Sequence, residues 1–195
     1  MGVGSFSARP QLPLEREIKL RFDSTTAARE ALEAIGARPL RGRRLQDDVL
    51  LDSDDGRLQR SGCALRVRRD GEGAAITWKG PAQPGPMKTR EEIETAVGVA
   101  DDARRILASL GFVPRFRYQK YREELSLEGL VIAIDETPIG TFVELEGEEA
   151  AIAAVAVRLG RGPADYVLAS YRSLFLEYRQ GRGGHGPDMV FGAPA

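Results

Sequence analysis

Two pairs of glutamates in this 195-residue chain could hold a metal ion. Glu15 and Glu17 are separated by one residue, and Glu144 and Glu146 repeat that spacing later in the chain. Like-charged neighbours repel each other unless a cation lies between them. Carboxylate oxygens are also the ligands that Mg²⁺ and Mn²⁺ prefer in proteins. The spacing therefore indicates a site for divalent cations.

Two pairs of basic residues have the same spacing, Arg66 with Arg68 and Lys120 with Arg122. Clustered cations favour a polyanion, and a guanidinium can contact a phosphate through two parallel hydrogen bonds. Acid pairs that hold metal, together with basic pairs that neutralise a polyanion, are the chemistry of metal-bound phosphate. Phosphoryl transfer depends mostly on positioning and charge neutralisation, so such groups could also support a reaction.

All four pairs lie in segments whose alternation is typical of β-strands. Residues two apart on a strand share a face, so Glu15, Glu17 and Lys19 point to the same side of the segment 14–22. The opposite side is mostly apolar, and the same division recurs along the chain. The charged faces carry Lys19, Arg21, Arg66, Arg68, Lys79, Lys88, Arg90, Lys120 and Arg122, and Glu15, Glu17, Glu92, Glu94, Glu124, Asp135, Glu144 and Glu146.

An ordinary half-exposed sheet would explain one such strand, with its apolar face inward and its charged face in water. The recurrence favours a closed barrel, in which the charged faces converge on a lumen and helices cover the apolar faces. Charges in a lumen are costly unless they are paired or bind a ligand. From the residues alone, both a self-paired structural network and a site for metal-bound phosphate stay open.

The periodicity predicts eight strands with helices inserted between them. The strands are predicted at residues 14–22, 45–51, 64–69, 75–79, 88–97, 115–127, 130–135 and 141–146. The helices are predicted at residues 25–35, 101–110, 148–159 and 166–178.

The order of the charged motifs resembles that of a known family. Glu15-Arg16-Glu17-Ile18-Lys19 has the form ExExK. The motifs that follow it are Gln46-Asp47-Asp48 through Asp52, Leu65-Arg66-Val67-Arg68, Thr77-Trp78-Lys79-Gly80, Arg90-Glu91-Glu92, Lys120-Tyr121-Arg122, and Ile134-Asp135 leading into Gly140–Glu146. In this order they resemble the CYTH domain, the triphosphate tunnel metalloenzymes, which include class IV adenylate cyclases and thiamine triphosphatases. The resemblance covers residues 14–176.

The resemblance implies an α+β fold, an eight-stranded antiparallel closed β-barrel with helices packed on the outside. Its tunnel would hold a triphosphate. The implied ligands of Mg²⁺ or Mn²⁺, with two ions expected, are Glu15, Glu17, Glu144, Glu146 and Asp135. The implied substrate-binding residues are Lys19, Arg66, Arg68, Lys79, Arg90, Lys120 and Arg122. Of these, the residues expected to be catalytic are Lys19, Arg66, Arg68 and Lys120.

For function, the resemblance implies an enzyme of the class IV adenylate cyclase type, which converts ATP into cyclic AMP and pyrophosphate. The alternative is a triphosphatase that hydrolyses thiamine triphosphate, inorganic tripolyphosphate or a nucleoside triphosphate, with water in place of the ribose hydroxyl as nucleophile. A third hypothesis is a non-catalytic module that binds polyphosphate or a nucleotide. In each case the expected partner is a small molecule that carries a triphosphate.

The composition argues against several other classes of protein. The 28 Lys and Arg against 29 Asp and Glu give a net charge of -1, so we expect neither a nucleic-acid partner nor a membrane surface. One cysteine and one histidine argue against a disulfide framework and against a Cys/His zinc site. No secretory pattern precedes the first strand, and we expect a cytoplasmic protein.

The chain is predicted to contain one domain, residues 13–180. Gly, Ser and Pro residues without periodicity predict disordered tails at residues 1–12 and 181–195. The sequence leaves open whether the protein is a homodimer.

Overall fold

The computed structural model describes residues 13–71, 73–182 and 186–192. Its strands are β1 (Leu14–Phe22), β2 (Arg38–Ser53), β3 (Ala64–Asp70), β4 (Gly73–Lys79), β5 (Lys88–Val97), β6 (Phe112–Leu127), β7 (Leu130–Thr137) and β8 (Gly140–Glu146). Its helices are α1 (Thr25–Ala34), α2 (Arg57–Arg60), α3 (Ala100–Ser109), α4 (Glu149–Arg158) and α5 (Tyr171–Arg182). A 3₁₀ turn spans Pro163–Asp165.

The strands form one closed antiparallel barrel in the order β1-β5-β4-β3-β2-β6-β7-β8, which confirms the predicted α+β fold. Strands β2 and β6 are 16 residues each, and they pair along most of their length. Strand β2 begins before its predicted segment because the ladder continues through register shifts between Pro39 and Arg44, where alternation in the sequence is lost. At the other end of this pairing, β6 begins at Phe112, opposite Ser53, and not at residue 115.

Helices cover the outward apolar face of the barrel, as predicted. Helix α1 begins at the N-cap Ser24, whose hydroxyl accepts a hydrogen bond from the Ala27 amide at 3.1 Å. Leu32 of α1 and Ile152 of α4 are fully buried in one cluster with Leu20. Helix α3 contributes to a separate cluster on β2 and β3. Apolar residues on the outward faces of the strands therefore form the main core together with the helices, and the inward faces line the interior of the barrel.

The barrel interior is not charged throughout. On β6, Phe116 and Tyr118 share the inward face with Lys120 and Arg122, and on β8 Phe142 precedes Glu144 on that face. Helix α5 packs against the apolar end of this interior. We call the resulting cluster the apolar floor, made of Phe116, Tyr118, Phe142, Tyr171, Leu174, Phe175 and Met189. The sequence patterns did not predict it.

The C-terminal part of the chain differs from the expected tail. Residues 188–191, which the sequence placed in a disordered tail from residue 181, contact β6. Met189 is fully buried, because its side chain joins the apolar floor. Helix α5 also begins at Tyr171 and not near residue 166, since the chain first makes the 3₁₀ turn and a bridge from Val167 to Lys19. The predicted N-terminal tail, residues 1–12, lies outside the described residues.

Among the described residues, no helix combines the length and the apolar character that crossing a membrane requires.

Candidate functional site

A cavity of about 270 Å³ occupies the barrel above the apolar floor. Its wall includes all the predicted substrate-binding residues and four of the five predicted metal ligands, with Asp135 as the exception. We call this space the charged chamber, bounded by Glu15, Glu17, Lys19, Arg66, Arg68, Lys79, Lys88, Arg90, Glu92, Glu94, Lys120, Arg122, Glu124, Glu144 and Glu146. The structure thus brings charges from separate strands to the wall of one cavity.

Strands β1 and β8 carry the acidic side of the chamber. Glu17 is directly opposite Glu146 in the ladder, and Lys19 is opposite Glu144. Burial raises the pKa of Glu146, and the negative charges of Glu17 and Glu144 raise it further. Three carboxyl groups therefore face one another on two adjacent strands, an arrangement that a cation would stabilise.

Lysines divide these carboxylates. The Lys19 ammonium lies 2.9 Å from Glu17 Oε1 and 3.4 Å from Glu144 Oε1, and Lys88 makes a second ion pair with Glu17. Burial disfavours the ionised form of Glu17, but Lys19 and Lys88 outweigh that effect and hold its pKa well below the usual range. The Glu17 carboxylate is therefore ionised at neutral pH.

Glu15 belongs to a second group of charges on β1, β4 and β5. The Lys79 ammonium donates to both Glu15 carboxylate oxygens at 2.7 Å and lies 2.8 Å from Glu92. Burial, the hydrogen bond with Glu92 and the charge of Glu17 raise the pKa of Glu15 to about 7, against the opposing effect of Lys79. Glu15 and Glu92 therefore compete for one lysine.

Asp135 connects the charged chamber to the apolar floor, and it does not fit the predicted role of metal ligand. Lys120 and Tyr171 donate to its Oδ2 at 2.7 Å each. Arg122 donates to Oδ1 at 2.7 Å and to Oδ2 at 2.6 Å. This carboxylate is completely buried, and its oxygens are occupied by protein donors. Its position makes it the counter-ion of the basic residues on β6.

Asp48 was not predicted as a site residue, yet it fixes the basic pair on β3. The Arg68 guanidinium donates to its two carboxylate oxygens at 2.8 and 3.2 Å, and Arg66 approaches Asp48 to 3.5 Å. Arg66 also donates to Thr77 at 3.0 Å. Asp48 has no exposed surface. Its carboxylate is therefore the buried counter-ion that holds the two arginines side by side.

The other predicted cations of the chamber also interact with neighbouring groups of the protein. Arg122 also contacts Glu144, while burial and the charge of Arg122 lower the pKa of Lys120 to about 8. Arg90 lies on the chamber wall but donates to the backbone carbonyls of Gly80 and Gly62, at 2.7 and 2.8 Å. Its guanidinium is thus partly committed to holding the loops after β4 and before β3.

Arg21 was expected on the charged inward face, but it is exposed. It lies over the ring of Phe142, with 4.8 Å between the guanidinium carbon and the ring centroid. The apolar floor fills the inward side at this end of the barrel. The alternation therefore predicted the strand correctly, but it did not predict that its last charged residue, Arg21, would be exposed.

The oxygen donors of the chamber fit Mg²⁺ or Mn²⁺ by their chemistry. Glu17, Glu144 and Glu146 supply only hard carboxylate oxygens, and Glu146 has no ion pair among the described residues. Within the described ranges, however, no group of three or more acidic, histidine or cysteine side chains already has the arrangement of a metal site. Ion pairs with Lys19, Lys88 and Arg122 engage Glu17 and Glu144 instead.

Tyr171, at the start of α5, could serve either in apolar packing or in a polar contact. The structure shows both. Its ring packs in the apolar floor, its hydroxyl donates to Asp135, and the ammonium groups of Lys19 and Lys120 lie 5.5 and 4.9 Å from the ring centroid. A buried tyrosine needs a hydrogen-bond partner, but that rule does not say which partner a distant segment will supply.

Comparison with known proteins gives consistent results. Residues 13–159 match the CYTH domain. A Methanocaldococcus jannaschii protein named "putative adenylate cyclase" is 33% identical over 136 residues, which are 68% of this chain and 76% of that protein.

Two solved structures share the fold. A Vibrio parahaemolyticus protein, also described as a putative adenylate cyclase, superposes with a TM-score of 0.73 at 20% identity, over 85% of this chain and 99% of that one. A Hippeastrum protein, described as a putative adenylyl cyclase with a dominant triphosphatase activity, has a TM-score of 0.64 at 21% identity, over 84% and 96% of the two chains.

Proposed function

Because this chain belongs to the CYTH family, whose members act on triphosphates, we propose that it is a metal-dependent enzyme that cleaves a triphosphate in the charged chamber. One observation carries the proposal. The carboxylates of β1 and β8 and the cations of β3 and β6 line a single cavity inside the barrel, although they are far apart in sequence. Such a cavity binds metal and polyphosphate together.

In this proposal Glu17, Glu144 and Glu146 hold the metal, with Glu15 beside them. A bound divalent cation would withdraw charge from the phosphate oxygens and lower the pKa of a coordinated nucleophile. The ion pairs of Lys19 and Lys88 with Glu17 keep that carboxylate ionised, and hence able to bind a cation.

The basic residues bind and orient the triphosphate. Arg66 extends into the chamber from β3 and Lys120 from β6, the two strands that flank β2, and Asp48 and Asp135 hold these side chains in place. Fixed cations need no rearrangement when charge develops on the reacting phosphate, and this lowers the barrier. The apolar floor closes one end of the barrel, so it limits the access of bulk water to the bound phosphates.

Hydrolysis is favoured by the chamber wall itself. Its two aromatic residues are Tyr118 and Tyr171, and both rings are mostly covered by the apolar floor and by cations. Among the described residues of the wall, neither ring offers an open face on which a nucleobase could stack. The wall therefore recognises the triphosphate more than the group attached to it, as a triphosphatase requires.

Cyclisation of ATP is the second candidate, and the similarity to the M. jannaschii protein favours it. That reaction needs the ribose 3′-hydroxyl to attack the α-phosphate, with pyrophosphate as the leaving group. The Hippeastrum protein carries both descriptions, so a single fold of this kind is compatible with either reaction.

A product assay separates the candidates. Purified protein is incubated with tripolyphosphate, thiamine triphosphate or ATP, each with Mg²⁺ or Mn²⁺. We expect orthophosphate; cyclic AMP with pyrophosphate would show the cyclase, and tight binding without turnover would contradict an enzyme.

Replacement of Glu146 by Gln tests the metal site in the same assay. Glu146→Gln should lower activity at least roughly tenfold at limiting metal, with partial recovery in excess metal. The matched control is Glu148→Gln, because Glu148 lies on the surface in an ion pair with Arg16. Full activity of Glu146→Gln without added metal would exclude Glu146 as a ligand.

A further inference from the structure

Strand β6 has a free edge that a distant segment fills. On one side β6 pairs with β2 from Phe112 to Ser126, and on the other it pairs with β7 only from Tyr121 onward. Met189 pairs with the uncovered part of that second edge in a parallel bridge to Tyr118. The Gln119 amide donates to the Met189 carbonyl at 2.8 Å, and the Met189 amide donates to Arg117 at 3.0 Å.

Side chains hold the same segment in place. Met189 has no exposed surface and belongs to the apolar floor. The Asp188 carboxylate accepts a hydrogen bond from the Arg117 amide at 2.8 Å. The ring of Phe191 packs on that of Tyr121, with 5.1 Å between their centroids. Four kinds of contact thus attach a short segment to one stretch of β6.

The opposite side of that stretch forms part of the site. Tyr118 and Lys120 alternate with Gln119, so their side chains point into the barrel while the backbone of Gln119 bonds to the C-terminal segment. Tyr118 contributes to the raised pKa of Arg66, and Lys120 is held by Asp135. Movement of β6 here would shift two side chains of the chamber wall at once.

We propose that the segment Asp188–Phe191 is a positioning strand for the triphosphate site. By completing the edge of β6 and filling the apolar floor with Met189, it fixes Tyr118 and Lys120 at the chamber wall. This inference rests on the proposed function. It concerns residues beyond the stretch 13–159 that matches the CYTH domain, so the family match does not supply it.

The test compares Met189→Asp with Met189→Leu in the full chain. A carboxylate cannot be buried unpaired in the apolar floor, so Met189→Asp should release the segment, whereas leucine conserves apolar volume. Hydrogen exchange at the Gln119 amide reports whether the segment is docked, and exchange at the Leu145 amide reports whether the barrel is intact. Calorimetry with tripolyphosphate and Mg²⁺ measures the affinity of each variant.

We expect Met189→Asp to lose protection at Gln119, to keep it at Leu145, and to bind tripolyphosphate on the order of tenfold more weakly. Met189→Leu should match the wild type. If Met189→Asp fails to fold, Asp188→Ala decides the question: it removes one hydrogen bond near the surface and should weaken binding several-fold, in the same direction.

Wild-type affinity in a folded variant that has lost protection at Gln119 would overturn the inference. Unchanged protection in Met189→Asp would also overturn it, because Met189 would then not anchor the segment. If the wild type itself binds no triphosphate, the proposed function fails, and the inference fails with it.

Discussion

The charged chamber and the apolar floor share strands β6 and β8 and lie in the same barrel, but they are stabilised in opposite ways. On β6, the step from Tyr118 to Lys120 crosses from one to the other, and on β8 the step from Phe142 to Glu144 does so. The floor gains stability from apolar burial. The chamber keeps ionised groups in place through cross-strand pairs. A closed barrel therefore does not require a uniform interior.

The two regions therefore have different roles: the floor contributes to folding stability, and the chamber is suited to binding. The apolar floor, closed by α5, can contribute to the core and seal one end. The cations of the chamber have carboxylate partners, but some of their N–H donors still point into the cavity. Such donors are useful only if a polyanion binds there. Asp135 lies at the boundary, since its donors are Lys120 and Arg122 on the chamber side and Tyr171 on the floor side.

Removal of the Asp135 carboxylate should have the largest effect, because it breaks both regions at once. Asp135→Ala leaves Lys120 buried without its counter-ion and Arg122 with Glu144 alone, and should lower the free energy of unfolding by about 3–5 kcal/mol. Denaturant unfolding of the variant measures this. The neighbouring Glu136→Gln is the control, because its ion pair with Arg43 is exposed and should contribute about 1 kcal/mol or less.

Equal effects of the two substitutions would show that Asp135 does not link the regions. A loss of triphosphate affinity without a loss of stability in Asp135→Ala would instead place this residue in the chamber alone.

Replacement of Arg66 should affect the chamber and leave the floor intact. Arg66→Ala removes a cation from the wall, so we expect roughly tenfold or more weaker binding of tripolyphosphate, with nearly unchanged thermal unfolding. Arg69→Ala is the matched control, because Arg69 lies on the outward face of the same strand and pairs with Asp101. Unchanged affinity in Arg66→Ala would mean that Arg66 does not contact the substrate.

Most of the fold could be predicted from the sequence, because strand alternation depends on neighbours two residues apart. The segments 14–22 and 88–97 were predicted with the observed bounds of β1 and β5. The same alternation, together with the family resemblance, placed Glu17, Arg66 and Lys120 on one inner surface. These inferences require only a local period and barrel closure.

The partners of the charges could not be predicted in this way. Asp48 on β2 pairs with Arg68 on β3. Asp135 accepts a hydrogen bond from Tyr171, which lies 36 residues later at the start of α5. Such contacts depend on register and on where the C-terminal segments return, which no local pattern encodes. For the same reason, Arg21 was placed in the lumen and residues 186–192 in a tail.

The smallest effect we predict is a pH dependence that belongs to the chamber alone. Burial and the charge of Arg122 lower the pKa of Lys120 from 10.5 to about 8, so the free protein loses this positive charge as the pH rises through about 8. Triphosphate affinity should then fall several-fold above that pH, since one fewer cation faces the polyanion. Between about 8 and 10.5 the unfolded chain binds more protons at this lysine, so its contribution to stability increases with pH there.

Burial gives the two tyrosines of the floor the opposite behaviour. The pKa values of Tyr118 and Tyr171 are both raised above the usual range, so the floor keeps its protons over the interval in which Lys120 titrates. Because a bound polyanion favours protonated Lys120, binding near pH 8.5 should take up protons, which calorimetry in buffers of different ionisation enthalpy detects. Lys120→Arg, which stays charged, should abolish that uptake and flatten the affinity profile. Proton uptake that persists in Lys120→Arg would assign the titration to another group and break the proposed contrast between chamber and floor.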